Sequence, residues 1–306
     1  MAVSSRNIVV NLLKFNYKDQ VVQSYAQSVV REIKALGHDV TEIGPGTEWQ
    51  HDFDFTSFDL VVDLDCGRNP NTGDLNFRFH NNPSPIPSVV WFIDSHGNPT
   101  LHHRLARNYD HVFFAVWAKR DLFASHKSAH WCPNATDSEW FNSSFQSTHP
   151  SYDFGFFGSK MGLIRADPMK DICARHEWPC DVRQISTVNK HRWPYTAQAM
   201  GNCKALFNHG QKHDGPNLRV VESMAMGLPL ISDQDPRSGM DELFTPWEHY
   251  YPYDFSTYEG LEHIMKLVKI DYQKALNVGE TAMQEVHAKH LIKHRVQQML
   301  EVAFAK

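Results

Sequence analysis

The sequence predicts a two-domain α/β protein in which each domain is an open, mostly parallel, Rossmann-like sheet covered by helices. Three observations support this prediction: short apolar runs of the length of buried strands, helical segments between these runs, and one polar linker near the middle of the chain. With 306 residues, the chain is long for one core and sufficient for two. We expect a first domain over residues 1–148 and a second over residues 149–284, with a C-terminal helix over about 285–306 that packs back on the first.

The first domain begins with the β-rich run Asn7–Leu13 and continues with a predicted helix over Lys18–Leu36, where apolar residues recur at near-helical spacing. Gly37 has the usual position of a residue that ends a helix, and Asp39–Ile43 is the next predicted strand. The further predicted strands are Phe58–Leu64, Ser88–Ile93, His111–Val116 and Ala129–Trp131.

The predicted linker is the polar segment Asn142–Ser151, which is rich in Ser and Thr and contains Pro. A second α/β series follows it. Its predicted strands are Tyr152–Phe157, Cys180–Ile185, Ala205–Asn208 and Leu228–Ser232. The last long segment, Tyr272–Phe304, has a helical pattern, and Gly279 is the position where we expect a break.

Composition excludes several classes of protein. The net charge of −5 gives no overall attraction to nucleic acid or to an acidic membrane, and 42% apolar residues are ordinary for a soluble globular protein. No run approaches the roughly 20 apolar residues of a membrane span, and the first residues lack the apolar region of a secretory signal. The five cysteines form no CxxC pair, which is typical of reduced thiols. We therefore expect a cytoplasmic protein.

Nineteen histidines raise the question of a metal site. The chain has no HExxH motif and no Cys/His spacing typical of zinc. The neighbours His102 and His103 would point about 100° apart on a helix and would ligate one ion poorly. We predict no metal site and interpret the histidines as solvated or hydrogen-bonded structural residues.

The most informative segment is Lys204–Asp233, which has the pattern strand, loop, helix, strand. Pro216 suits the first helical turn, and Gly227 followed by Pro229 suits the end of the helix. In a parallel α/β unit, ligands bind at the carboxyl ends of strands, where helix amino ends point. The loop His209–Gly215 and the backbone N–H groups near Asn217 are therefore predicted to face a phosphate.

Two acidic residues of this segment, Asp214 and Glu222, are separated by seven others. At 1.5 Å per helical residue, their carboxylates would be about 10 Å apart along the axis, which suits a ligand with a sugar at one end and a ribose at the other. Glu222 lies between the apolar and polar arcs of the helix, so we expect it to be partly buried and to need hydrogen-bond donors. Ribose hydroxyls would supply them. The alternative is that Glu222 only pairs with the backbone or with a neighbouring Arg.

The run from Asp214 to Ile231 (DGPNLRVVESMAMGLPLI) resembles the signature of retaining GT-B glycosyltransferases, and it is particularly similar to the CgeB-like or "glycosyl transferases group 1" branch. Further blocks of the same branch, in order, are Val90–Asp94, Cys132–Ala135, Tyr152–Ser159 with Arg165 after it, Asp233, Asp241–Phe244 and Tyr250–Tyr253. The resemblance covers about residues 88–255. The chain departs from the pattern at Asp214, where the usual residue is Glu, and in the loop Leu13–Lys18, which lacks glycines.

This resemblance implies a GT-B fold, with two Rossmann-like domains facing a central cleft. It implies a hexosyl- or pentosyltransferase without cofactor or metal, whose co-substrate is a nucleotide-sugar. By position, Glu222 would hold the ribose, Asp214 would lie near the transferred sugar, and Arg165, with Lys160 or Lys212, would neutralise the diphosphate. The other residues predicted to bind the sugar-nucleotide are His209, Gly215, Asn217, Leu218, Gly158 and Ser159.

On the acceptor side, Asp94 or His96 would face the acceptor hydroxyl, and His96 has a suitable reference pKa for proton transfer near neutrality. The resemblance implies that the product retains the anomeric configuration. A nucleotide-sugar epimerase and a non-catalytic nucleotide-sugar-binding protein are the alternative functions. The oligomeric state stays open.

The acceptor is a glycan or small molecule or, as a second option, a hydroxylated base in DNA. Basic residues that would track DNA phosphates are Arg68, Arg78, Arg104, Arg107, Lys119 and Arg120. Acidic residues expected to balance them in a mixed surface are Asp63, Asp65, Asp74, Asp94, Asp110 and Asp121.

Overall fold

The computed structural model describes residues 5–11, 25–43, 54–64, 83–93, 95, 97, 99–158, 160–185, 192–210 and 215–305. The chain divides into two compact units. The first comprises Met1–Pro133 together with Ile292–Lys306, and the second comprises Asn134–Leu291. Segment 134–148, which the sequence analysis placed in the first domain, thus belongs to the second unit.

The first unit contains a six-stranded sheet of order β2-β1-β3-β4-β5-β6, and every pair in it is parallel. Its strands are β1 (Asn7–Asn11), β2 (Asp39–Ile43), β3 (Leu60–Leu64), β4 (Ser88–Phe92), β5 (His111–Phe114) and β6 (Ala129–Trp131). Every residue of β3 and β4 is buried, as expected where helices cover both faces of a parallel sheet. Each strand falls within one of the predicted apolar runs.

The second unit contains a five-stranded parallel sheet of order β11-β10-β9-β7-β8. Its strands are β7 (Tyr152–Gly158), β8 (Cys180–Gln184), β9 (Cys203–Asn208), β10 (Leu230–Gln234) and β11 (Tyr251–Asp254). The chain leaves β7 towards β8 on one side and returns to β9 on the other side. The strand order therefore reverses between β7 and β9, and the crevice outside their carboxyl ends is where sheets of this kind bind ligands.

Eight α-helices lie in the described part of the chain: α1 (Tyr25–Ala35), α2 (Pro99–Ala106), α3 (Asp167–Arg175), α4 (Arg192–Gly201), α5 (Leu218–Ala225), α6 (Leu261–Ile270), α7 (Tyr272–Lys289) and α8 (Ile292–Ala303). Short 3-10 helices occur at Trp117–Phe123, Ser143–Phe145, Lys160–Ala166 and Met240–Glu242. Gly37 and Gly227 follow α1 and α5 in the left-handed region, with φ of 87° and 74°, as their sequence positions predict. None of the helices in the described ranges combines the length and the apolar character needed to cross a membrane.

The predicted helix break at Gly279 is wrong, because α7 runs through this residue and the chain leaves the helix at His290–Leu291. Gly279 instead allows a close approach between α7 and the end of α5. A Cβ at Gly279 would lie 2.5 Å from the carbonyl oxygen of Gly227, a distance that a side-chain carbon cannot adopt. After the break, α8 packs on α1, β4 and β5 within the first unit.

Candidate active site

The described residues that were predicted as site residues in the second unit lie at the carboxyl ends of β7 and β9 and in the segments that follow these two strands. Strand β7 ends at Gly158, β9 at Asn208 and β10 at Gln234. Helix α5 starts shortly after β9, and the 3-10 helix that carries Arg165 follows β7. Strands β7, β9 and β10 are neighbours in the sheet, and the strand order reverses between β7 and β9.

Asn208, the last residue of β9, joins the loop to the neighbouring strand. Its side-chain amide donates to Ser232 Oγ at 3.0 Å, and its Oδ1 accepts a hydrogen bond from Asn217 Nδ2 at 2.9 Å. The backbone N–H of Gly210 donates to Asp233 Oδ1 at 2.8 Å. Burial raises the pKa of Asp233 to about 6, and the hydrogen bond from Gly210 opposes this rise. This network holds the start of the loop and the start of α5 against β10.

Asn208 and the side chain of Asp233 have no role predicted from the sequence. Both are polar residues at the carboxyl ends of buried apolar strands, and both are themselves buried. That position is the signal that would have identified them, since polar side chains there must find partners within the site.

Helix α5 begins at Leu218, so the predicted place of Pro216 in its first turn is wrong. Asn217 is the N-cap, and its Oδ1 accepts a hydrogen bond from the backbone N–H of Arg219 at 2.9 Å. An Asn at this position satisfies one of the free N–H groups of the first turn, which is why the helix starts after it. The carbonyl of Pro216 accepts a hydrogen bond from Asn134 Nδ2 at 3.1 Å, and Gly215 adopts a left-handed φ of 83°.

Glu222 is more deeply buried than expected, with 2% of its surface exposed. Its carboxylate forms an ion pair with Arg219, one helical turn earlier, whose side chain is 14% exposed. A buried carboxylate keeps its charge only beside such a partner. The alternative of a neighbouring Arg as partner is therefore present in the structure, and the contact of Glu222 with ribose stays a prediction.

Arg165 connects the ends of β7 and β9. Its NH1 donates to the carbonyl oxygen of His209 at 2.7 Å, and its Nε donates to the carbonyl oxygen of Gly162 at 3.3 Å. The side chain is thus oriented by backbone acceptors on both sides of the crevice, which places a permanent positive charge there.

His209 is buried and held in one tautomer. Tyr253 donates its hydroxyl proton to the carbonyl oxygen of Asn208 at 2.8 Å, so its oxygen accepts from His209 Nδ1–H, also at 2.8 Å. The hydroxyl of Tyr258 then donates to His209 Nε2 at 3.3 Å. The rings of Phe255 and Tyr258 stack on the imidazole at centroid distances of 4.9 and 4.8 Å.

Burial and, to a smaller extent, the positive charge of Arg165 lower the pKa of His209 to about 4. The ring is therefore neutral near pH 7 and does not act as a proton donor there. The imidazole of His209 is held by Tyr253, and the backbone carbonyl oxygen of the same residue accepts the hydrogen bond that orients Arg165.

A family model described as "Glycosyl transferase-like" matches residues 138–301, slightly more than half of the chain. The chain belongs to the glycosyl transferase-like family. The matched region includes every second-unit element of the site, from β7 to the Tyr-rich strand β11. Comparison with curated protein sequences gives no match.

Solved glycosyltransferase structures share the architecture over nearly the full chain. An alpha-glucosyltransferase in complex with UDP-glucose and DNA containing an abasic site has a TM-score of 0.64 at 10% identity, covering 99% of this chain and 100% of the other. Sucrose-phosphate synthase from Thermosynechococcus elongatus has a TM-score of 0.63 at 9% identity, covering 97% and 98%. Anabaena HepE in complex with UDP-glucose has a TM-score of 0.60 at 11% identity, covering 97% and 99%. These similarities confirm the GT-B fold of two Rossmann-like domains. The family match identifies the protein as a glycosyltransferase.

Several predicted site residues of the enzyme lie outside the described residues: Asp94, His96, Ser159, Lys212, Asp214 and the side chain of Lys160. Of the remaining ones, Gly158 ends β7 and Leu218 opens α5, both partly exposed. In the first unit, β4 leads towards Asp94, and Ser95 beyond it is buried with its Oγ 3.4 Å from His102 Nδ1.

The two adjacent histidines of α2 have separate structural roles. His102 is buried and stacks on Phe92 at 4.5 Å, whereas His103 is exposed and its Nδ1 donates to the carbonyl oxygen of Leu122 at 2.7 Å. Within the described part of the chain, no three His, Cys, Asp or Glu side chains are grouped so that they could hold a metal ion.

The mixed surface that we expected in the first unit needs one correction. Asp63 is fully buried and accepts a hydrogen bond from Tyr109, so it does not balance any surface charge. Arg104, Arg107 and Arg120 are exposed. The guanidinium of Arg120 lies 4.7 Å from the ring centroid of Trp117. Arg68, Arg78, Asp65 and Asp74 lie outside the described residues.

Proposed function

We propose that this glycosyltransferase moves a hexosyl or pentosyl group from a UDP-sugar to an acceptor hydroxyl, with retention of configuration and without a metal ion. The observation that carries the proposal is the position of Arg165. Its guanidinium is oriented by the carbonyl group of His209 at the crevice between β7 and β9. UDP is proposed because HepE and the alpha-glucosyltransferase were solved with UDP-sugars or UDP.

Sugar transfer breaks the bond between the anomeric carbon and the diphosphate through a transition state of oxocarbenium character. Negative charge grows on the departing phosphate, and Arg165, with Lys160 or Lys212 and the amino end of α5, would stabilise it. A fixed guanidinium needs no reorganisation as this charge develops. Because the ring of His209 is neutral near pH 7, it does not repel the guanidinium of Arg165.

The remaining roles follow the family pattern. Glu222 would accept hydrogen bonds from the ribose hydroxyls, and Asp214 would lie near the transferred sugar. Asp94 or His96 of the first unit would face the acceptor hydroxyl.

Activity that persists at full rate in excess EDTA would agree with the metal-independent mechanism, and its loss would contradict it.

Arg165→Ala tests the diphosphate role directly. We expect kcat/KM with a UDP-sugar to fall by about 10²–10³, the usual cost of removing one group that stabilises transition-state charge. Arg165→Lys keeps the charge but not the planar geometry and should recover part of the loss. The matched control is Arg175→Ala on α3, where an exposed arginine pairs with Glu262. Wild-type turnover in Arg165→Ala would remove this residue from the site.

Further measurements separate the alternatives. Incubation with the UDP-sugar alone identifies an epimerase, which converts its substrate without an acceptor. A binding protein would show a thermal shift with UDP and no turnover with any acceptor of a library. NMR of the anomeric signals of the product decides the stereochemistry. An inverted linkage would contradict the retaining mechanism.

We propose a glycan or a small hydroxylated molecule as the acceptor. A hydroxylated base in DNA is the second candidate, because one structural neighbour, an alpha-glucosyltransferase, was solved with UDP and a 13-mer DNA containing an HMU base. In this enzyme, the exposed Arg104 and Arg107 are available for phosphates. Affinity for such DNA that falls steeply between about 50 and 200 mM salt would support this acceptor, and the absence of binding would exclude it.

A further inference from the structure

A groove runs along α4 in the second unit, beside the edge strand β8. It consists of two adjoining cavities of about 580 and 410 Å³ that share Phe145, Tyr195 and Gln198. Each volume falls within the range of small-molecule sites, about 300–1,000 Å³. None of the described lining residues is among those predicted to bind the sugar-nucleotide.

Tyr195 forms a rigid aromatic platform in this groove. Half of the residue is exposed, yet its hydroxyl oxygen accepts a hydrogen bond from Arg183 NH1 at 2.9 Å. Arg183 is fixed in turn by an ion pair between its Nε and Asp181, with a 2.7 Å separation. An exposed aromatic ring that is already held in place loses little conformational entropy when a ligand covers it.

The opposite wall is also fixed. The backbone N–H of Ser147 donates to the carbonyl oxygen of Gly201 at 2.8 Å, which attaches the segment after Phe145 to the end of α4. Gly201 permits this approach, because a Cβ there would lie 1.9 Å from the carbonyl oxygen of Phe145. Both walls therefore keep their spacing without a ligand.

The chemistry of the lining indicates a neutral ligand. Asp181, whose side chain is 8% exposed, neutralises Arg183, so the groove offers no uncompensated cation to a phosphate among its described residues. The other polar groups are hydroxyls and amides, from Ser144, Ser147, Gln198 and Asn202. An aromatic face bordered by such groups matches a sugar ring, which has an apolar C–H face and a rim of hydroxyls.

We propose that this groove is a second carbohydrate site, which holds a neutral glycan by stacking one sugar ring on Tyr195. The site is separate from the proposed UDP-sugar site and would hold a glycan chain whose reacting end lies elsewhere. Binding there requires neither UDP nor Arg165.

The test is a titration of the enzyme with maltotetraose, cellotetraose and chitotetraose, followed by NMR and calorimetry, with and without UDP. We expect at least one tetrasaccharide to bind equally well in both conditions. Tyr195→Ala should weaken this binding by about tenfold or more, as expected for an aromatic anchor. Tyr195→Phe keeps the ring, loses the acceptor for Arg183 and should give an intermediate affinity.

The matched control is Trp247→Ala. Trp247 is 54% exposed in the same unit but precedes β11, at the other edge of the sheet, so its removal should not change the affinity. Arg165→Ala should also bind the glycan normally, which separates this proposal from the proposed catalytic function. The proposal is overturned if no tetrasaccharide binds at 10 millimolar (on the order of the weakest specific sites), or if a folded Tyr195→Ala binds as the wild type does.

Discussion

Replacing Asp233 with Asn should remove a pH dependence of stability that operates between about pH 4 and 6. Asp233 is 7% exposed at the end of β10, and burial raises its pKa from 3.8 to about 6. As the pH rises through this window, the unfolded chain releases the proton first, so the folded state loses stability relative to it. The difference between these two pKa values corresponds to about 3 kcal/mol of unfolding free energy. This contribution is present below pH 3.8 and lost once the pH exceeds about 6.

The assay is urea denaturation of the wild type and Asp233→Asn at half-unit steps from about pH 4 to 8, expressed as the difference in unfolding free energy. The comparison of the two proteins is needed because the titration of His209 changes the unfolding free energy with the opposite pH dependence. Its pKa is lowered by burial to about 4, so its stabilising contribution is lost as the pH falls from 6.5. Because His209 is present in both proteins, its contribution to the unfolding free energy cancels in the difference.

We expect the difference curve to change by about 3 kcal/mol in favour of Asp233→Asn as the pH rises from 4 to 7. Gln234→Ala is the matched control, because Gln234 is the neutral neighbour of Asp233 on the same strand, donates its hydrogen bond to Asp241 instead and should keep the wild-type slope. A flat difference curve would refute the reasoning, and so would a curve of opposite sign.

Two further predictions concern α5 and α7. Glu222→Gln leaves the partly buried Arg219 without its ion-pair partner, so we expect thermal denaturation to show a loss of about 3 kcal/mol, together with weaker UDP-sugar binding. The double variant Arg219→Met/Glu222→Leu should regain stability but not binding, and normal binding in it would exclude a ribose contact for Glu222. Gly279→Ala should lower the free energy of unfolding by about 1–3 kcal/mol in urea denaturation, because the new Cβ would lie 2.5 Å from the carbonyl oxygen of Gly227. The control Asn277→Ala, on the exposed face of α7, should leave this free energy unchanged. Equal stability of the two variants would contradict the packing argument.

Local patterns predicted most of the fold. Apolar runs of strand length located ten of the eleven strands in the two described sheets, and the resemblance located β11 through its Tyr-rich block. Gly37 and Gly227 marked helix ends, since a left-handed residue there is a property of the few residues around it. The family signature located the site loop between β9 and α5 for the same reason. Its residues are consecutive in the chain.

The errors fall where another contact overrides a local preference. Pro216 suits a first helical turn, yet the side chain of Asn217 caps α5 one residue later, and the buried Asn134 binds the Pro216 carbonyl. Gly279 looks like a helix break, but the backbone of Gly227 packs against it and the helix continues.

The sequence by itself determined the parallel α/β class, the order of the elements and the segment that carries the candidate site. Only the tertiary structure decided the state of the groups around that site: the neutral tautomer of His209, the buried carboxyl of Asp233 and the ion pair of the buried Glu222 with the partly buried Arg219. The physical reason is that charge state and hydrogen bonding depend on burial and on partners from other strands. Periodicity along the chain specifies which face of an element is covered, but not which side chain covers it.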